Sequence, residues 1–192
     1  MLIREATAAD APHLVRFINM AADDLPLHFW QRSVGPAGDP WAHGRERAAR
    51  DTGSFSYRNA WLAEQKGEVA ACLLGYPAED APADIAPDTP PIFVPLLQLE
   101  ALAPGSWYLN VLSTYRQFRG HGCGSALLAH AESLARDSGF ATISLITADT
   151  HTDARRLYAG KGYREVANRP VVKDDWQVDA KTWILMTKPI TG

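Results

Sequence analysis

The sequence predicts an α/β fold of the α+β type, with strands and helices interspersed along a chain of 192 residues. The apolar run Trp107 to Leu112 has the length and composition of a buried strand. A glycine-rich turn follows, and the apolar residues after it recur at helical spacing until Gly139, a typical helix stop. Apolar runs and breakers elsewhere complete the order β-α-(α)-β-β-(loop)-β-α-β-α-β-β. We therefore expect one domain over residues 1–192.

The remaining elements follow from the same patterns. Leu2 to Ala6 is a short first strand, and Thr7 with Asp10 forms a typical N-cap arrangement for the first helix. The other expected elements are a short helix over 41–50, strands over 60–64 and 69–74 joined by a turn, a loop rich in proline and acidic residues over about 77–95, a short helix over 93–103, and strands over 140–148, 163–172 and 181–188.

Composition excludes several classes of function. The net charge of -3 and the absence of a basic cluster give no general attraction to nucleic acid or to anionic membranes. No apolar run has membrane-spanning length, and the N-terminus lacks a signal-peptide core. Cys72 and Cys123 are isolated, and the histidines show no metal-ligand spacing. We expect a cytoplasmic protein with no metal, no nucleic-acid partner and no membrane association.

The glycine-rich turn has the features of an anion site. It reads Arg119-Gly120-His121-Gly122-Cys123-Gly124-Ser125. Glycines remove the Cβ atoms that would keep a ligand away from the backbone, and the first N–H groups of the following helix lack intrahelical partners. Together they would cradle a phosphate or pyrophosphate. The alternative is a tight turn whose glycines serve packing only, and the glycines alone do not decide between the two.

Two motifs carry a resemblance to a known family. Arg119-x-x-Gly122-x-Gly124 is similar to the acetyl-CoA pyrophosphate loop, Arg/Gln-x-x-Gly-x-Gly/Ala, of the GNAT (GCN5-related N-acetyltransferase) superfamily. Further along, the family has Asn-x-x-Ala-x-x-Leu-Tyr-x-x-x-Gly-Phe/Tyr. The residues of this chain that match it are Ala154, Leu157, Tyr158, Gly162 and Tyr163, while His151 stands where Asn is usual. Two motifs in the right order are far more specific than either alone.

The resemblance implies a GNAT fold, a central mixed and largely antiparallel sheet of six to seven strands flanked by helices. It also implies an enzyme that moves an acetyl group from acetyl-CoA to a primary amine by direct attack in a ternary complex. Arg119 to Ser125 would hold the pyrophosphate, and the strand end at Leu112, Ser113 and Thr114 would hold the pantetheine and thioester carbonyl through its backbone. Tyr158 would protonate the departing thiolate, and His151 either keeps or loses the usual pantetheine contact.

The acceptor side is less specific in the sequence. His28, Phe29 and Trp30 are candidate substrate contacts, because the segment after the first helix commonly forms a wall of the acceptor site in this family. Trp41 and Asn110 are further candidates, and for each aromatic the alternative is that it caps the core. A general base is not identified: Glu100 is one candidate, and Tyr108, Asn110, His28, His151 or a water chain are others.

Three hypotheses about function remain open at this point. The first is an N-acetyltransferase whose acceptor is a small-molecule amine, or alternatively a protein or peptide. The second is a non-catalytic acyl-CoA-binding sensor or module of the same fold. The third is a purely structural role in an oligomer, and a homodimer is compatible with the first two as well.

Overall fold

A computed structural model describes residues 1–81 and 84–190. It contains a seven-stranded sheet with the order β1-β2-β3-β4-β5-β7-β6. The strands are β1 Leu2–Glu5, β2 Ala60–Gln65, β3 Glu68–Pro77, β4 Trp107–Thr114, β5 Thr142–Ala148, β6 Arg164–Pro170 and β7 Thr182–Pro189. The helices are α1 Ala11–Ala21, α2 Leu25–Val34, α3 Pro40–Ala48, α4 Val94–Glu100, α5 Cys123–Asp137 and α6 Thr152–Gly160. This mixed, mostly antiparallel sheet with flanking helices confirms the predicted fold class.

The chain forms two compact units, and both β4 and α5 contribute to each of them. The first unit comprises Met1–Tyr76 and Asn110–Ala131, and the second comprises Pro77–Leu109 and Glu132–Gly192. Pro82, Ala83, Thr191 and Gly192 lie outside the described residues. The single domain expected from the sequence stays a prediction.

In the first unit, β1 pairs antiparallel with β2, and β2 pairs antiparallel with β3. Helix α1 supplies Leu14 and Phe17 to the core, both fully buried, and Leu62, Cys72 and Leu74 contribute from β2 and β3. The turn between β2 and β3 consists of Lys66 (φ 53°) and Gly67 (φ 80°). Two central residues with positive φ match the twist of a tight hairpin, as the sequence predicted.

In the second unit, β4 runs parallel to β5 over Trp107–Leu109, and β7 pairs antiparallel with both β5 and β6. Helix α4 packs on β5, β6 and β7. Helix α5 ends in a Schellman motif: the Phe140 N–H donates to Ala135 O and the Gly139 N–H to Arg136 O, both at 2.9 Å. Gly139 has φ 81°, so the predicted glycine stop is confirmed.

Three elements differ from the sequence predictions. Helix α2 was not predicted, because Pro26 indicates a helix break in the sequence. In the structure Pro26 lies in the first turn of α2, where proline is tolerated. The loop expected to run to Pro95 ends earlier, since a 3₁₀ turn occupies Pro91–Phe93 and α4 follows directly. Strand β3 extends to Pro77 instead of stopping at Leu74. Within the described residues, no helix is both long enough and apolar enough to cross a membrane.

Candidate functional site

The segment Arg119 to Ser125, hereafter the glycine loop, lies in the first unit between the end of β4 and the start of α5. Gly120 has φ 77° and Gly122 has φ 83°, the left-handed region that other residues adopt only with strain. A Cβ built on either glycine would meet no atom within 4 Å. The backbone at both positions therefore faces open space, which leaves room for a ligand to approach it closely.

The N-terminus of α5 supplies donors to that space. The first bond of the helical series joins the Ala126 N–H to Gly122 O at 3.0 Å. The N–H groups of Cys123, Gly124 and Ser125 precede it and have no intrahelical acceptor. The 15-residue helix also places its positive end there. These features fit the pyrophosphate of a nucleotide cofactor, because its oxygens would accept from the unpaired N–H groups.

Side chains hold the glycine loop in place. The Arg119 Nε donates to Thr114 O at 3.3 Å, and His121 Nδ1 donates to Arg119 O at 2.9 Å. The amide of Gln65, at the β2–β3 turn, donates to His121 O at 3.3 Å. The sequence placed Gln65 only in the turn between β2 and β3 and did not indicate this contact with the glycine loop. If β3 and β4 are taken as antiparallel neighbours, the turn between β2 and β3 lies beside the end of β4. That pairing is the signal that could have identified Gln65.

Cys123 is the one buried residue of the glycine loop, with 1% of its surface exposed. Burial raises the pKa of its thiol, so the thiolate is disfavoured at neutral pH. Arg119 to Gly122 are exposed, and Gly124 and Ser125 are half-buried. The polar surface of the loop therefore consists of its backbone and the side chains of Arg119, His121 and Ser125, and the cysteine packs inward.

The end of β4 lies directly before the glycine loop. Ser113 is buried, and Leu112 and Thr114 are half-buried. The Tyr115 N–H donates to Ala70 O on β3 at 2.9 Å. N–H groups alternate in direction along a strand, so Ser113 shares this orientation, whereas the N–H groups of Leu112 and Thr114 point away from β3.

Asn110, the candidate substrate contact on β4, has a side-chain partner. Its Nδ2 donates to the Tyr76 hydroxyl at 2.8 Å, and both residues are half-buried. This bond fixes the orientation of the Asn110 amide. Tyr76, on β3, was not singled out in the sequence.

The aromatic candidates separate into two groups. Trp30 on α2 is buried, its ring lies 6.1 Å from that of Trp41, and it covers Gly44 of α3. Trp30 therefore packs in the hydrophobic core, which the sequence left open as the alternative to a substrate contact for each aromatic residue. His28 and Phe29 are half-buried and contact each other edge to face, with ring centroids 5.5 Å apart.

The remaining site residues belong to the second unit. Tyr158 on α6 is 5% exposed, and burial raises the pKa of its phenol. His151 precedes α6 and is half-buried; the Arg155 N–H donates to its carbonyl at 2.9 Å. Glu100 is the last residue of α4. Burial raises the pKa of its carboxyl, and a hydrogen bond from Tyr108 partly offsets that rise. In residues 1–81 and 84–190, no group of three metal-ligating side chains is present.

Comparisons with known proteins identify the family. The sequence model of the acetyltransferase (GNAT) family matches residues 19–163. N-acetyltransferase 8F1 of Rattus norvegicus is 29% identical over 140 residues, which are 69% of this chain and 55% of the relative. The chain thus spans about half the length of the curated relatives it matches.

Solved structures of acetyltransferases share the fold. A crystal structure described as an acetyltransferase is 26% identical, covers 100% of both chains and has a TM-score of 0.69. Agmatine N-acetyltransferase, as an apo mutant, is 16% identical, covers 98% of each chain and has a TM-score of 0.68. At that identity the second likeness concerns the fold alone. With the family model matching most of its length, this chain belongs to the acetyltransferase (GNAT) family.

Proposed function

We propose that this chain transfers an acetyl group from acetyl-CoA to a primary amine of a small molecule, by direct attack in a ternary complex. The observation that carries the proposal is the glycine loop at the N-terminus of α5 in a member of this family. Gly120 and Gly122 open the backbone, and the N–H groups of Cys123 to Ser125 would bind the pyrophosphate. Bound acetyl-CoA supplies the activated thioester.

The backbone of β4 would stabilise the oxyanion. Attack by the amine places negative charge on the thioester oxygen, and a preorganised N–H donor there contributes about 3–4 kcal/mol in other acyl-transfer enzymes. The N–H groups of Leu112 and Thr114 are the candidates, because they point away from β3. The Tyr115 N–H is occupied by Ala70 O.

Tyr158 would act as the general acid. The raised pKa of its phenol keeps the hydroxyl protonated at neutral pH, which an acid requires. The pKa of a thiol is ordinarily about 8.5. Burial raises the pKa of the leaving CoA thiol in the same direction as it raises the pKa of the Tyr158 phenol. The proton would pass from the Tyr158 hydroxyl to the departing sulfur as the carbon–sulfur bond breaks.

Glu100 is the candidate general base with support from the structure. Burial raises the pKa of its carboxyl, so it accepts a proton more readily than an exposed glutamate does. The hydrogen bond from Tyr108 orients the carboxylate. A water chain, or His28 or His151, remains the alternative route for the proton of the amine.

A small-molecule acceptor is proposed for two reasons. The chain carries no basic cluster and no extended peptide-binding feature in its sequence. A solved relative in fold acts on agmatine, a small amine, as its name states. A protein or peptide acceptor is the second candidate, and a panel containing both amines and peptides would distinguish the two.

Calorimetry with acetyl-CoA tests the cofactor assignment. Gly122→Trp combined with Gly124→Trp would fill the glycine loop and abolish binding, while the wild type binds saturably. Gly53→Trp is a matched control, because Gly53 also has positive φ (94°) and open space around its Cβ position. Absence of binding to the wild type, or equal loss in the control, would overturn the assignment.

A further inference from the structure

The end of α6 joins Tyr158 to Tyr163. The Tyr163 N–H donates to Tyr158 O and the Gly162 N–H to Ala159 O, both at 3.0 Å. Gly162 has φ 90°, which completes a Schellman motif. This motif brings together the side chains five residues apart, and the two tyrosine rings lie 5.8 Å apart at 54°. The spacing of the second sequence motif thus has a physical cause, which is contact between its two tyrosines.

Tyr163 in turn contacts a partly buried ion pair. The Lys188 ammonium on β7 lies 5.6 Å from the centroid of the Tyr163 ring, within the range of a cation–π contact. The same ammonium donates to Glu132 Oε2 on α5 at 2.7 Å. The side chains of Lys188 and Glu132 are only 24% and 16% exposed. Tyr163 itself is 2% exposed, so the contact is shielded from water.

Packing alone does not account for this arrangement. Within the described residues, Tyr163 Oη and Glu132 Oε1 are both buried and neither has a partner at hydrogen-bonding geometry, although the two groups are close enough for Glu132 to raise the pKa of the Tyr163 phenol by its charge and by hydrogen bonding. A buried polar atom without a well-aligned partner destabilises the folded state. A phenylalanine at 163 would fill the same space without an unpaired hydroxyl. Burial and the Glu132 carboxylate both raise the pKa of Tyr163, so the phenol beside the ion pair is neutral.

Tyr158 packs against this neighbour. The Schellman motif sets the distance between the two residues, and the Tyr163 ring contacts the Tyr158 ring. A group that transfers a proton must be aligned with the acceptor atom, and a displacement of about 1 Å can lower a rate about a hundredfold.

We propose that the Glu132–Lys188 ion pair, through Tyr163, positions the Tyr158 hydroxyl for proton transfer to the leaving thiolate. The inference rests on the proposed function, in which Tyr158 is the general acid. Glu132, Lys188 and Tyr163 are positioning residues and touch no reacting atom. Their loss would slow turnover without weakening the binding of acetyl-CoA.

A double-mutant cycle tests the coupling. Lys188→Met is expected to lower kcat about tenfold and to leave the KM for acetyl-CoA unchanged. In a Tyr158→Phe background, the same substitution is expected to change kcat less than about twofold, because the group it positions is already absent. An equal loss in both backgrounds would overturn the proposal. No effect of Tyr158→Phe itself would instead remove the general-acid assignment, which is a failure of the proposed function.

Two further variants separate positioning from folding. Lys188→Arg keeps the cation and is expected to restore most of the kcat. The double variant Glu132→Gln, Lys188→Met removes both charges and leaves no unpaired buried carboxylate; it is expected to fold and to be as slow as Lys188→Met. Arg156→Met is the matched control, because its ion pair with Asp153 lies on α6 but is largely exposed.

A readout that needs no acetyl transfer keeps the proposal testable in the free protein. Tyrosine labelled with ¹³C at Cζ gives resonances for the six tyrosines, and Tyr158→Phe identifies the one from Tyr158. Lys188→Met is expected to shift the Tyr158 and Tyr163 resonances, whereas Arg156→Met is not. An unshifted Tyr158 resonance would contradict the proposal even if the protein released no CoA from acetyl-CoA.

Discussion

At the scale of single residues, the left-handed glycines of the glycine loop determine whether the backbone is accessible. Gly122→Ala is expected to lower the free energy of unfolding by about 1–2 kcal/mol, because an L-residue is strained at φ 83°. Its methyl group would also stand where the cofactor approaches, so acetyl-CoA binding should weaken by about 1–3 kcal/mol. Thermal unfolding and calorimetry measure the two effects. Gly53→Ala introduces similar strain at φ 94°, so this control should lose stability but keep its affinity for acetyl-CoA. An equal loss of affinity in Gly53→Ala would show that the effect at Gly122 is not specific to the glycine loop.

A second residue-scale prediction concerns acid stability. Arg4 donates to both carboxylate oxygens of Asp10 at 2.9 Å, and this hydrogen bonding lowers the pKa of Asp10 to about 2. An unfolded aspartate has a pKa of about 3.9. The stabilisation is therefore complete above that value and is lost as the pH falls through about 2.

Asp10→Asn should thus reduce the free energy of unfolding by about 1–3 kcal/mol at pH 7, with a smaller difference at pH 2. Denaturant titrations at the two pH values measure this. Asp153→Asn, in an exposed ion pair with Arg156, should cost under about 1 kcal/mol at either pH. A pH-independent loss in Asp10→Asn would show that charge pairing is not its cause.

At the scale of elements, the end of α6 offers a matched pair of glycines. Gly162→Ala should destabilise the protein by about 1–2 kcal/mol, since φ there is 90°. Gly160→Ala, two residues earlier and still helical, should be neutral or stabilising by up to about 1 kcal/mol. Thermal unfolding of both variants checks the Schellman motif. Similar effects at the two positions would argue against it.

The contact between α2 and α3 gives another element-scale test. A Cβ on Gly44 would lie 2.7 Å from Cζ3 of Trp30. Alanine gains about 1 kcal/mol in helix propensity over glycine, but overpacking costs about 1–3 kcal/mol. We expect Gly44→Ala to be destabilising on balance, with Gly160→Ala as the helical control. A stabilised Gly44→Ala would mean that Trp30 moves at little cost.

At the scale of the whole molecule, the sequence predicted the strands and the glycine loop well, for physical reasons. The strand Trp107–Thr114 is buried enough to appear as a continuous apolar run, and Gly139 marks a helix end by its own conformation. Helix α2 was missed because Pro26 and its mixed aromatic composition obscure its period. The ion pair at Tyr163 was invisible because Glu132 and Lys188 are 56 residues apart and meet only in the folded chain.

The central claim is that this chain catalyses acetyl transfer to an amine. The most direct measurement is the release of free CoA thiol from acetyl-CoA over a panel of small amines and peptides, with the acetylated product identified by mass spectrometry. Amine-dependent release is expected from the wild type and from Gly53→Trp, and none from the variant with Gly122→Trp and Gly124→Trp. Saturable binding of acetyl-CoA with no thiol release from any acceptor would contradict the claim and support a non-catalytic acyl-CoA sensor.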